Sequence, residues 1–129
     1  MRGAVTTNDV RGLALSLPET EEHEHWGKIS FRVRNKIFAV IQPDGISVAM
    51  KTTHDDRDAY TSIAPEVFHV PDGFANLSYM MVRIDRIDQK ECSDLLIQAW
   101  KLVSPKKLVK AYGESCNRSF NHGGKKIDS

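Results

Sequence analysis

Five cations fall within one short stretch of the chain: Lys28, Arg32, Arg34, Lys36 and Lys51. Ammonium and guanidinium groups carried on a two-stranded ribbon neutralise phosphates or enter a groove, so the chemistry these residues offer is contact with double-stranded DNA. The competing reading is solvation, because the polar faces of strands ordinarily carry Lys and Arg. Beside them stand His25 and Trp26, where an indole next to an imidazole lines a ligand pocket or stacks on a base; the alternative is packing over a helix or sheet edge. His23 and His25 among Glu21, Glu22 and Glu24 offer nitrogen and oxygen ligands, but no Cys pair, HExxH or EF-hand spacing accompanies them, and no metal site is assigned. Cys92 falls on an apolar helical stripe and reads as core filler, while Cys116 has no organised base near it. With no GxSxG, P-loop or GxGxxG in the chain, the residues point to a non-enzymatic binding domain without a cofactor.

The elements that must position these groups begin with two hairpins in series over Lys28 to Lys51. Ile29, Phe31 and Val33 alternate with Ser30, Arg32 and Arg34, the period of a half-buried strand. A polar turn at Arg34-Asn35-Lys36 leads to the apolar run Ile37 to Ile41. Asp44-Gly45 then turns the chain into a third strand, Ile46 to Lys51. Strand 2 is apolar on both faces, so part of the sheet's second face must be covered by a loop, the last helix or another copy of the chain.

Around this sheet the spacing predicts a helix over Asn8 to Leu17, with Val10, Leu13, Ala14 and Leu17 as its stripe, Thr6, Thr7 or Asn8 as its cap, and Pro18 ending it. Glu19 to His25 reads as an exposed acidic connection. A second helix is expected over His54 to Ile63, showing Ala59, Tyr60 and Ile63 to the core. A short strand at Val67 to Val70 and a better one at Leu77 to Asp85 follow. Asp88 and Glu91 cap the longest helix, Gln89 to Val103, with Trp100 beside its buried stripe. Ser104-Pro105 opens a short last helix that Gly113 should stop.

At 129 residues the chain makes one domain with a core that needs no disulfides, and two cysteines fit a reducing cytoplasm. No apolar run approaches the roughly 20 residues that span a bilayer, and no signal-peptide pattern opens the chain. Residues 1–100 hold eleven Lys/Arg against fifteen Asp/Glu, whereas residues 101–129 carry a net +5. The basic end is either a solubilising tail or a second contact for nucleic acid.

Leu17-Pro18, Trp26, the run from Phe31 through Arg32, Arg34 and Lys36 to Ala39, Val48-Ala49-Met50-Lys51, and Ser104-Pro105-Lys106-Lys107-Leu108 together resemble the MmcQ/YjbR family of small bacterial proteins. The resemblance spans about residues 8 to 112. It departs where the family often has Gly-Trp before its late strand, here Ser78-Tyr79. It implies an α+β, two-layer fold similar to the CyaY-like or secretion-chaperone-like group. That fold has an antiparallel sheet with helices on one face, in the order α-β3-α-β2-α plus a short C-terminal helix. It also implies the DNA-binding label the family commonly carries, with the hairpins as wings.

The expectation is therefore a cytoplasmic, non-enzymatic domain over residues 1–112, with a disordered basic tail over 113–129. It acts as a monomer or weak homodimer that meets DNA through Lys28, Arg32, Arg34, Lys36 and Lys51 and has no membrane contact. The alternative is a protein- or small-ligand-binding module that uses the second sheet face or a pocket near His25 and Trp26. DNA binding requires one continuous positive face; a ligand module requires a concave apolar one.

Overall fold

A computed structural model describes residues 5–25 and 27–122, the side chains of His25 and of residues 115–122 excepted. Its elements are α1 (Thr7–Leu15), β1 (Thr20–His25), β2 (Lys28–Val33), β3 (Lys36–Ile41), β4 (Ser47–Lys51), α2 (His54–Ile63), β5 (Phe68–His69), β6 (Tyr79–Arg83), α3 (Gln89–Val103) and α4 (Lys106–His122). The strands form one antiparallel sheet in the order β1-β2-β3-β4-β6-β5, an α+β fold of two layers.

Both hairpins form where the turn residues require them. Arg34 and Asn35 take φ of 50° and 71°, the paired left-handed conformations whose twist matches a two-residue hairpin. At the next turn the Asp44 carboxylate accepts from the Ile46 and Ser47 N–H groups at 2.9 Å each, and Gly45 supplies φ 77°. The register shifts between Phe31 and Arg32, leaving Phe38 as the extra residue of a bulge, so Phe38 and Ala39 are both buried.

Cross-strand partners share a face, which sorts the sheet. Phe31, Ala39, Met50 and Met80 lie on one side with Ile41, Val48 and Val82. There they join Val10, Ala14, Leu95, Leu96 and Ala99 from α1 and α3 in the core. Trp100 is not a flank of that core but wholly enclosed in it, its indole N–H donating to the Pro18 carbonyl at 2.9 Å.

Four local expectations are corrected. Glu19 to His25 is not a loop: Thr20 to His25 pairs with β2 from Val33 to Lys28 as an edge strand. Its alternation was invisible because both of its faces are polar. In α2 the inward face is Arg57, Tyr60 and Ala64, leaving Ala59 outside and Ile63 81% exposed. α1 stops at Leu15, capped by a reciprocal Thr6–Asp9 pair. Gly113 does not end the last helix, which continues to His122.

Candidate functional site

The opposite face of the sheet carries Lys28, Ser30 and Arg32 from β2, Ile37 and Val40 from β3, Ala49 and Lys51 from β4, and Tyr79, Met81 and Arg83 from β6. Among the described residues no α-helix packs on it. The segment between β5 and β6 borders it instead, bringing Pro71, Gly73, Phe74 and Leu77 against the strands. Between this loop and the sheet lies a groove of about 460 Å³, floored by Ile37, Val40, Ala49 and Met81 and walled by Phe74, Leu77 and Tyr79. Lys28 and Gln42 stand at its polar margin. That size falls within the range of small-molecule sites.

Arg57 holds the wall in place. Its side chain is buried, and its guanidinium donates to the carbonyls of Phe74 (3.1 Å), Leu77 (2.7 Å), Tyr79 (3.1 Å) and Ala75 (3.4 Å). A fifth contact, 3.1 Å to His54 Nδ1, requires that nitrogen to accept, because a guanidinium has no acceptor to offer. Tyr79 fixes the near end of the groove. Its hydroxyl donates to the Ile37 carbonyl at 2.7 Å, beyond the point where the β3–β4 ladder ends at Ala39 and Met50. Burial pushes the Tyr79 phenol above its ordinary pKa. Its ring lies 6.3 Å from that of Phe74 and 5.0 Å below the Lys51 ammonium.

The five hairpin cations separate. Lys28, Arg32 and Lys51 share the open face, with Arg32 Nε donating to Ser30 Oγ at 3.1 Å. None of the three has a carboxylate partner among the described residues. Arg34 sits at the hairpin tip, tied to both Glu19 oxygens at 2.9 and 3.2 Å, which holds the Glu19 carboxyl below its usual range. Lys36 borders a separate notch of about 260 Å³ on the helix side, with Leu102 and Pro105 at the α3–α4 corner. Trp26 and the His25 side chain lie outside the described residues, so the pocket expected of them is not located.

Other candidates for chemistry fall away. Cys92 is enclosed in the core, and burial pushes its thiol up to about 12, so it carries almost no thiolate near neutral pH. His23 Nε2 lies 3.2 Å from Glu21 on the exposed edge strand. Among the described residues no group of three or more His, Cys, Asp or Glu is placed to hold a metal, and no helix is long and apolar enough to cross a membrane.

The second sheet face and a cover for it, a loop among the candidates, were expected from the sequence, but the groove's lining and the role of Arg57 were not. The one available signal was a cation at position 57 in register with Tyr60 and Ala64, on the inward face of α2.

An open-faced α+β domain, helices on one side of the sheet and a bordered groove on the other, is the class defined by this fold and site. The chain belongs to the YjbR family, whose model matches residues 15–102. It is similar to the crystal structure of Deinococcus radiodurans protein DR2400, which carries the domain DUF419. The TM-score is 0.70 at 18% identity, over 88% of this chain and 89% of that one. None of the curated proteins matches the chain.

Proposed function

We propose that this chain is a non-enzymatic binding domain that receives its ligand on the open face of the sheet. The observation that carries the reading is the apolar groove between β3, β4, β6 and the Phe74–Leu77 wall. Concave apolar surface with a few polar groups at the margin is what ligand sites share. A loop already fixed by hydrogen bonds also lowers the ordering cost of binding. The thiol of Cys92, free and enclosed, fits a reducing compartment such as the cytoplasm.

The test is a methyl-detected NMR titration with an uncharged apolar fluorophore such as N-phenyl-1-naphthylamine. The expected result is saturable shifts at Val40, Ala49, Leu77 and Met81. Shifts confined to the helix side, or none, would overturn the reading.

A second reading, DNA contact, is favoured by one observation: Lys28, Arg32 and Lys51 share that face without carboxylate partners among the described residues. Against it, Arg34 is occupied by Glu19, and the neighbouring strand β1 carries Glu21, Glu22 and Glu24. A mobility-shift titration of a short duplex in rising salt discriminates the two. Under the DNA reading, Arg32→Ala weakens binding and flattens its salt dependence. A wild type with no salt-sensitive binding at low ionic strength ends it.

A further inference from the structure

We infer that the occupant of the groove is a free single-chain amphipathic anion, its chain lying on Val40, Ala49 and Met81 and its carboxylate or sulfonate head meeting the Lys28 ammonium. This inference rests on the groove reading above and adds the chemical class of the ligand.

Among the described residues the groove lining contains no Asp or Glu, and Lys28 is its one Lys or Arg. Lys28 is exposed and makes no ion pair among the described residues, so its charge is available to a ligand without first breaking a bond. The neighbouring polar residue is already engaged, since Gln42 Nε2 donates to the Val40 carbonyl at 3.1 Å. Arg32 and Lys51 add positive potential from the same face. The carboxylates near this face are engaged: Glu21 on β1 lies 3.2 Å from His23, Asp85 is held by the Arg83 guanidinium at 2.8 and 2.9 Å, and Asp44 accepts from the Ile46 and Ser47 N–H groups. The apolar wall accepts methylenes, while the potential at the margin selects the sign of the head group.

The source is the free amphiphile rather than a bilayer. The floor is recessed between strands and loop, where a flat lipid surface does not reach.

Calorimetric titration of the full chain with dodecanoate and with dodecyltrimethylammonium, both below micelle formation, tests the assignment. We expect 1:1 binding with dodecanoate the tighter, and Lys28→Glu to weaken dodecanoate roughly fivefold while strengthening the cation, the size of effect a partly exposed ion pair produces. Equal affinities, or a dodecanoate-to-cation affinity ratio that Lys28→Glu leaves unchanged, overturn the anionic class while leaving the groove intact. Absence of binding by either amphiphile, or of NMR shifts at Val40, Leu77 and Met81, overturns both the class and the groove. Association with phosphatidylglycerol vesicles in the absence of 1:1 dodecanoate binding also overturns the inference.

Discussion

The Arg57 guanidinium donates to the Leu77 carbonyl at 2.7 Å across twenty residues of chain, binding α2 to the loop that walls the open sheet face. A buried cation answered by four carbonyls and an imidazole, with no carboxylate among its hydrogen-bond partners, is the joint on which the groove's shape depends. Arg57→Met strands those carbonyls, and we expect a loss of about 2–4 kcal/mol in urea unfolding. Arg57→Lys keeps the charge but not the fork. It should lose less stability while speeding hydrogen exchange at the Ala75 and Leu77 amides, whose acceptors Asp72 and Phe74 lie in the same loop. Unchanged exchange in Arg57→Lys would refute the role.

Tyr79 couples stability to alkaline pH. Its phenol is raised by burial above the ordinary value of 10.0, so the folded chain retains this proton more firmly than the unfolded one. The contribution is complete below the unfolded pKa of about 10 and is lost as pH rises through the folded value. Tyr79→Phe should lower stability by about 1 kcal/mol at neutral pH and reduce the fall in melting temperature above pH 10. An alkaline limb identical in both proteins would show that other groups control it.

Asp44 acts at the opposite end of the pH scale. The Ile46 and Ser47 N–H groups hold its carboxyl below the usual 3.8, so its stabilisation is present above that unfolded value and disappears as pH falls through the folded one. From the two lost hydrogen bonds alone, Asp44→Ala should cost about 0.5–1 kcal/mol near neutrality and give a flatter acid limb. Denaturant midpoints measured from pH 2 to 6 check the sign.

Cys92 should be silent until the domain opens. In a Cys116→Ser background, iodoacetamide at mildly alkaline pH should leave the native thiol unmodified, and labelling should follow the urea transition. Rapid native labelling would contradict the burial of this side chain.

The hairpins were legible in the sequence because their period, turn residues and glycine agree, and each of those signals is local. Strand β1 was not, since Thr20-Glu21-Glu22-His23-Glu24-His25 has no apolar alternation. Only the ladder from Val33 to Lys28 gives it a conformation. For α2, propensity located the helix but not its rotation. Burying Arg57 is favourable only because residues 74–79 present carbonyls to it, a fact of tertiary structure. The cations show the same limit. Period-2 alternation puts Arg32 and Arg34 on one face, but the left-handed turn at Arg34 and Asn35 and the nearby Glu19 carry Arg34 away.

The two borders of the sheet are unalike but lead to one result. At one border β1 lines its unpaired backbone with three glutamates, and at the other β5 offers only two residues. Neither margin invites a stranger's strand to join, because like charges or sheer brevity deny it a template. The sheet is thus protected from growing sideways into a polymer, and any visitor must approach it broadside.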